Sequence, residues 1–225
     1  LIVDDASTDQ TVSWLCAQGF QNATDGGFAD DSVALRLLVN ETNLGFGAAC
    51  NRGFARAANP LVLLLNNDVE VDDSCIAPLI EHFENAVVFA VHCRVSDFDT
   101  QCVVGTGKVG AFAYGFIKVH RSYVPLGSGV PTEPMYSMFA GGGSAMFDRR
   151  KVLDIGGFDE LFAPAYWEDV DLSYRAWKRG FIVLYEPRSL AGHRISSTMR
   201  KLDRRALKRT QRRNRLMFHW INLHD

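Results

Sequence analysis

A run of five apolar residues that ends in a polar cluster constrains the fold of this chain more than any other feature. Leu61–Leu65 contains no polar side chain, and Asn66, Asn67 and Asp68 follow it directly. An uninterrupted run of this length is typical of a strand buried on both faces of a parallel sheet. Ligands of open α/β sheets bind beyond the carboxyl ends of the strands, so the polar cluster is a candidate ligand or metal site. A simple polar turn is the alternative for an isolated triplet of this kind.

Strand and helix patterns alternate around this run. Residues 1–3 are apolar and end at Asp4 and Asp5, and residues 34–39 form a second apolar run. A helix is predicted after each of these two segments, and the second of the two helices spans about residues 48–58. A further helix is predicted after a capping residue at Asp72. This alternation predicts a doubly wound α/β fold with a parallel sheet.

Composition narrows the class of protein. A chain of 225 residues with 47% hydrophobic content can bury one substantial core. Its five cysteines are odd in number and form no Cys-x-x-Cys pair, which argues against a disulfide framework or a zinc site and predicts a reducing compartment. No apolar run approaches the roughly 20 residues of a membrane span, and no signal peptide is visible. We therefore expect a soluble cytoplasmic domain.

Six motifs in order resemble those of the family-two glycosyltransferases. They are Asp4-Asp5-x-Ser7-x-Asp9, Asn43-x-Gly45 with Asn51, the triplet 66–68, the glycine-rich motifs at 141–147 and 156–160, and Trp167-Glu168-Asp169-Val170-Asp171-Leu172 with Arg175. The resemblance implies the GT-A fold, an α/β fold with a mostly parallel central sheet flanked by helices. The family's first strand and helix are lacking, because residue 1 falls inside what would be the second strand. The implied divisions are a nucleotide-binding half at 1–90, an acceptor half at 91–199 and a basic helical segment at 200–225.

The resemblance also implies a function. Members of the branch that builds bacterial surface polysaccharides such as O-antigen, including rhamnosyltransferase-like proteins, are inverting glycosyltransferases. We expect transfer of a sugar from a nucleotide-diphosphate sugar to a hydroxyl of a polysaccharide or lipid-linked acceptor, with Mg²⁺ or Mn²⁺ as cofactor. The alternative is a non-catalytic sugar-binding or docking domain of a larger multidomain glycosyltransferase. Two features favour that alternative and predict weak activity: the missing first strand, and Asn66, which stands where the family usually has a carboxylate. The intact stretch Trp167-Glu168-Asp169 argues against it.

The resemblance assigns roles to individual residues. The base is Asp169 with Glu168 beside it, the metal ligands are Asp68, Asn66 and His193, the nucleotide contacts are Asp5, Asp4, Asn43, Gly45 and Asn67, and the acceptor contacts are Trp167, Gly142 and Gly143. The base has independent support, because helical spacing after Asp169 puts both acids at a helix N-terminus, where the dipole favours the ionised form. Helix capping is the alternative for this pair. Core packing is the alternative for Trp167, and an ordinary surface role is the alternative for His193.

The end of the chain carries a separate charge pattern. Residues 200–225 hold nine Lys/Arg against Asp203 and Asp225, although the formal charge of the whole chain is only −2. Such a run is usually a solvated helix. A peripheral contact with an anionic membrane surface, at the inner face of the membrane, and binding of a lipid-diphosphate acceptor are the functional alternatives. Nucleic acid is a weaker candidate, since no aromatic stacking platform accompanies the charge. We also expect the chain to be part of a longer polypeptide.

Overall fold

The computed structural model describes residues 1–22, 35–120, 130–193 and 204–223. In the first half, the elements are β1 (Ile2–Asp4), α1 (Thr11–Ala17), β2 (Gln21–Asn22), β3 (Arg36–Val39), α2 (Phe46–Arg56), β4 (Leu61–Leu65), β5 (Val69–Val71), α3 (Ile76–Glu81) and β6 (Val88–Asp97). The second half comprises β7 (Val103–Gly105), β8 (Val109–Ala113), β9 (Phe116–His120), β10 (Met135–Tyr136), β11 (Ser144–Asp148), α4 (Arg149–Asp154), α5 (Glu168–Lys178), β12 (Ile182–His193) and α6 (Arg204–Asn222). Short 3₁₀ turns lie at His82–Glu84 and Glu160–Phe162.

The strands form two sheets and a hairpin. A three-stranded parallel sheet has the order β1-β3-β2, and a seven-stranded sheet has the order β10-β12-β6-β11-β4, with β5 on β12 and β7 on β6. Strands β8 and β9 pair with each other. The expected strand Leu61–Leu65 is confirmed, and the chain is α/β with helices beside the larger sheet.

The expectation of a mostly parallel sheet is wrong for the larger sheet. Among the described strands of that sheet, only β6 and β12 run parallel, and β11 runs antiparallel to both β4 and β6. The strand β4 is half-buried at the edge of the sheet rather than buried on both faces. An apolar run indicates how deeply a strand is buried, but it does not encode the direction of the neighbouring strand. The return of the chain through β11 therefore could not be derived from Leu61–Leu65.

Two apolar clusters hold helices against the larger sheet. One cluster joins α2, α4 and α5 to the sheet through residues such as Phe54, Phe89 and Phe147. The rings of Phe54 and Phe89 both meet that of Phe147 edge to face, with centroids 5.6 and 5.9 Å apart. The other cluster packs α3 on the sheet through Leu79 and Val91. Truncation of a fully buried Phe costs about 3–5 kcal/mol, so these clusters rigidly support the loops at the strand ends.

The basic segment at the end of the chain is a docked helix. Helix α6 buries Asn214, Phe218, His219 and Asn222, which recur on one side of the helix. Phe218 belongs to a third cluster, in which it packs with residues of α5 and β9 such as Val170. The expectation of a merely solvated helix is therefore wrong for this side of α6. The buried side chains lie between the arginines in sequence and form a stripe that faces the rest of the protein. Within the described residues, no helix combines the length and the apolar character that crossing a bilayer requires.

Candidate active site

Asp68 and His193 meet where three strands end. The turn after β4 carries Asp68 into β5, and β5 pairs antiparallel with the last residues of β12, so that Val69 lies opposite His193. As a result, Nε2 of His193 lies 3.1 Å from Oδ1 of Asp68. Strand β12 runs for 12 residues, and its length brings His193 to the site.

The spacing of this pair fits a divalent cation. Two ligand atoms at adjacent corners of an octahedron with bonds of about 2.1 Å are about 3 Å apart. However, no group of three or more His, Cys, Asp and Glu side chains that could hold a metal occurs in the part of the chain that the structure describes. The protein therefore offers Asp68 and His193 as two donors, and a phosphate group and water would complete the shell, as is usual for Mg²⁺ at substrate phosphates.

The expected ligand Asn66 packs against the glycine-rich motif. Its backbone N–H donates to the carbonyl of Gly143 at 3.0 Å. A Cβ on Gly143 would lie 2.6 Å from Nδ2 of Asn66, and one on Gly142 would lie 2.8 Å from the ring of Phe46. Close packing therefore requires glycine at both positions. This structural role does not depend on the acceptor contact that the sequence predicts for these residues.

Glu168 and Asp169 open helix α5, as the sequence predicts. The Asp169 carboxylate accepts a hydrogen bond from the N–H of Val170 at 2.8 Å, and the backbone of Gly142 also acts to lower its pKa. Because Gly143 is bonded to Asn66, two adjacent glycines connect the wall that carries Asp169 to the wall that carries Asp68. These contacts link the loop that carries Asp68 to the loop that carries Asp169, a hundred residues later in sequence.

Burial sets the protonation of the two acids. Burial raises the pKa of Asp169 to about 6, against the opposing effect of its backbone donors and of Lys108. Burial and the charge of Asp169 raise the pKa of Glu168 to about 8. Oε2 of Glu168 is buried without a hydrogen-bond partner among the described residues. Desolvation therefore opposes the ionised form that the helix dipole favours, and the larger rise in pKa is that of Glu168.

Trp167 lies under helix α6. It is half-buried, and its ring centroid is 5.2 Å from that of Phe218 and 5.8 Å from that of His219. Trp167 and the preceding Tyr166 both have left-handed backbone angles, with φ of 76° and 78°. Such angles cost on the order of 1–3 kcal/mol each in a residue other than glycine, so neighbouring contacts must hold them.

Those contacts come from Asn214, which the sequence analysis missed. Its Nδ2 donates to the carbonyls of Phe162, Ala165 and Tyr166 at 2.6, 3.0 and 2.8 Å. Asn214 is fully buried. The available signal was the stripe of Asn214, Phe218 and Asn222 at a spacing of four residues within an otherwise basic helix.

Asn51 and Arg175 hold the second glycine-rich loop. The amide of Asn51 bonds both the N–H and the carbonyl of Phe158, at 2.8 and 2.9 Å. Arg175 donates to the carbonyl of Gly157 at 2.6 Å and to Oδ2 of Asp171 at 2.7 Å. Asp171 and Arg175 lie one helical turn apart, and through Arg175 this ion pair ties α5 to the loop.

Asp5, in the first acidic cluster, is hydrogen-bonded to the loop that follows β3. The carboxylate of Asp5 accepts from Nδ2 of Asn40 at 2.6 Å and from the N–H groups of Leu44 and Gly45, both at 2.9 Å. Nδ2 of Asn43 donates to the backbone carbonyl of Asp5 at 3.3 Å. These contacts bring the expected nucleotide-binding residues Asp5, Asn43 and Gly45 together.

The remaining expected nucleotide contacts lie on either side of this loop. Asp4 accepts from both the N–H and the Oγ of Ser7, at 2.9 and 2.5 Å, and Asn67 is exposed in the turn before Asp68. Gly45 has a φ of 85°, and a Cβ there would lie 3.2 Å from the carbonyl of Pro164. The glycine thus allows the nucleotide-side loop to abut the segment that leads to Asp169.

Comparisons with known proteins agree with this arrangement. The family model described as "Glycosyl transferase family 2" matches residues 1–153. Two curated relatives, both named pre-mycofactocin glycosyltransferase and both from Mycobacterium tuberculosis strains, are 28% identical over 171 residues, 73% of this chain. The chain spans about a third of the length of these relatives, 34%.

Solved structures show the same fold. GalNAc-T7 with UDP, GalNAc and Mn²⁺ matches with a TM-score of 0.67 at 19% identity, over 85% of this chain and 36% of that one. A mannosyltransferase from Pyrobaculum calidifontis with GDP-Man and Mn²⁺ matches with a TM-score of 0.61 at 16% identity, over 97% and 52%. TarS of S. aureus matches with a TM-score of 0.52 at 16% identity, over 83% and 30%. The expected GT-A fold class is confirmed.

Proposed function

The chain belongs to glycosyl transferase family 2, and on this premise we propose that it transfers a sugar from a nucleotide-diphosphate sugar to an acceptor hydroxyl, with inversion at the anomeric carbon. The observation that carries the proposal is the series of contacts between the loop of Asp68 and the loop of Asp169, from which we infer that the two acids face one site. Asp68 with His193 forms one wall, Asp169 forms the other, and the backbone of Gly142 and Gly143 connects them. An inverting transfer needs charge neutralisation on one side of the sugar and a base on the opposite side.

Asp169 acts as the general base. As the acceptor oxygen forms its bond to the anomeric carbon, the proton of the hydroxyl passes to the Asp169 carboxylate. The bond to the diphosphate breaks, and its electron pair leaves with the diphosphate. Burial raises the pKa of Asp169 to about 6, so it is a stronger base than an ordinary carboxylate and is still mainly ionised at neutral pH. Glu168, protonated in this range, adds no second negative charge beside it.

Asp68 and His193 would hold Mn²⁺ or Mg²⁺. When bound, the cation supplies positive charge for the departing diphosphate. The carboxylate and the imidazole suit Mn²⁺ in particular, because nitrogen ligands are unusual for Mg²⁺. Asn66 supports this wall through its bond to Gly143. The expected role of Asn66 as a third ligand stays a prediction.

The donor binds beside the first acidic cluster. Asp5, Asp4, Asn43, Gly45 and Asn67 are proposed to contact the nucleotide. The family membership and the solved complexes with UDP and with GDP-Man support a nucleotide-sugar donor.

The acceptor enters from the side of α5, where Trp167, Gly142 and Gly143 are proposed to contact it. We propose a polysaccharide or lipid-linked acceptor of the kind used to build bacterial surface polysaccharides, and a location at the inner face of the membrane. The expected peripheral contact with a membrane through the basic C-terminal helix belongs to the same proposal.

Donor turnover tests the proposal. A panel of nucleotide sugars is incubated with Mn²⁺ and the protein, and release of the nucleoside diphosphate is measured with and without oligosaccharide acceptors. We expect turnover with at least one donor, and a loss of about 10²–10⁴-fold in Asp169→Asn, as is typical for removal of a general base. Asp154→Asn, an exposed acid on α4, is the matched control and retains the activity of the wild type. Equal turnover by Asp169→Asn would exclude Asp169 as the base, and donor binding without turnover would favour a non-catalytic domain.

A further inference from the structure

Helix α6 and the hairpin of β8 and β9 form one surface, which we call the hairpin–helix surface. The N–H of Ile117 donates to Nε2 of His219 at 2.9 Å, and the rings of Phe116 and His219 lie 4.9 Å apart. The guanidinium carbon of Arg215 is 5.6 Å from the centroid of the Phe116 ring. The hairpin tip and the last turns of α6 are therefore fixed to each other.

The two elements of the hairpin–helix surface are rich in cations. The sequence of residues 109–120 and 204–222 holds eight Lys/Arg and no Asp or Glu. Arg205, Arg209 and Arg212 are exposed and lie on one side of the helix, at spacings of four and three residues. Leu216 and Trp220 continue this side by further steps of four residues. It is the side of α6 opposite the buried stripe of Asn214 and Phe218.

Large apolar side chains project from the same surface. Trp220 is 86% exposed, Leu216 is 59% exposed, and Tyr114 and Phe112 of the hairpin are 92% and 70% exposed. Monomeric soluble domains rarely expose several large apolar groups together without a binding role. Cations in line with Trp, Tyr and Leu are typical of structures that lie in the headgroup region of a bilayer, where the cations meet anionic lipids and the rings enter the boundary of the acyl chains.

We propose that the hairpin–helix surface binds an anionic membrane surface, with Trp220, Leu216 and Tyr114 inserted and the arginines of α6 on lipid headgroups. Charge complementarity selects this occupant, because the exposed side chains include several cations and several large apolar groups, the two features that an anionic bilayer satisfies at once. This inference deepens the membrane contact named above and extends it to the hairpin. It concerns binding, and it holds or fails whether or not the chain transfers a sugar.

Vesicle sedimentation of the 225-residue chain tests the proposal. We expect binding to vesicles of phosphatidylglycerol and phosphatidylcholine, weaker binding as salt rises, and little binding to pure phosphatidylcholine. Each cation near such a surface contributes about fivefold in affinity, so Arg205→Gln, Arg209→Gln and Arg212→Gln together weaken binding by about 100-fold. The matched control neutralises three exposed arginines elsewhere, Arg56, Arg150 and Arg179, and binds like the wild type.

A second measurement tests the inserted aromatic side chain. Brominated lipids quench the fluorescence of tryptophans that enter the bilayer, so we expect quenching in the wild type and its loss in Trp220→Phe. Trp220→Ser weakens binding by at least about tenfold, because it removes a large apolar side chain from the boundary. Equal binding to neutral vesicles, equal binding by the triple arginine variant, or quenching that persists in Trp220→Phe would each overturn the proposal. So would tighter binding to a polyanion such as RNA than to the anionic vesicles.

Discussion

Replacement of Asn214 by Ala removes the side chain through which α6 holds the loop before α5. The amide nitrogen lies within 3.0 Å of the carbonyls of Phe162, Ala165 and Tyr166. It carries two hydrogens, so at most two of the three contacts are full hydrogen bonds. At about 1 kcal/mol for each, we expect the free energy of unfolding to fall by about 2 kcal/mol.

The same change should also slow sugar transfer. Tyr166 and Trp167 are held at positive φ, and without Asn214 this segment relaxes to relieve the strain. Asp169 follows two residues later, and a displacement of about 1 Å at a reacting group lowers a rate by about 100-fold. We therefore expect a lower kcat with donor affinity nearly unchanged, which identifies Asn214 as a positioning residue.

Asn214→Asp separates hydrogen bonding from packing. Asp has nearly the same size as Asn, but it places a carboxylate against three carbonyl oxygens. One carboxylate oxygen keeps the donor Nε of Arg213, which lies 2.9 Å from Oδ1 of Asn214, but the other faces carbonyl oxygens with no hydrogen to donate, so this variant is less stable than the wild type at pH 7. It recovers part of its stability near pH 5, where a protonated carboxyl can donate one hydrogen bond.

Urea unfolding followed by circular dichroism measures stability, and single-turnover transfer measures the rate. Gln211→Ala, a half-buried polar residue on the same helix, is the control and should change stability by less than about 0.5 kcal/mol. The reasoning is refuted if Asn214→Ala is as stable as the control, or if Asn214→Asp matches the wild type at pH 7.

Three further changes follow from the geometry of the site. The pKa of Glu168 is raised from 4.5 to about 8, so between these values the folded chain keeps a proton that the unfolded chain releases. Stability therefore falls as pH rises through this window, and urea titrations at pH 5 and pH 8 should show a smaller difference in Glu168→Gln. Gly143→Ala places a Cβ 2.6 Å from the Asn66 amide, so we expect a loss of about 1–3 kcal/mol in unfolding experiments and slower transfer. His193→Ala should raise the Kd for Mn²⁺ at least about tenfold in a titration followed by electron paramagnetic resonance.

Local patterns in the sequence predicted local structure well. The strand Leu61–Leu65, the start of α5 at Glu168 and the ion pair of Asp171 and Arg175 all follow from spacing within a few residues. Each depends on apolar periodicity or on neighbours one helical turn apart, and both are properties of a short segment.

Tertiary features could not be predicted in this way. The direction of β11 beside β4, the desolvation of Glu168 and the inward face of α6 depend on which distant segments pack together. The meeting of Asp68 with His193 was expected only from the family resemblance, because it requires the pairing of β5 with β12. Asn214 was missed because a lone Asn among arginines has no local signature of a buried donor.

Paramagnetic broadening by Mn²⁺ tests most directly whether the two acidic positions share one site. In ¹⁵N spectra of the chain with a nucleoside diphosphate, bound Mn²⁺ should broaden the amides of Gly142, Gly143 and Val170 and leave the amide of Arg179, at the opposite end of α5, sharp. The broadening should disappear in His193→Ala. Broadening elsewhere, with Gly142 and Val170 unchanged, would place the metal away from Asp169 and contradict the account.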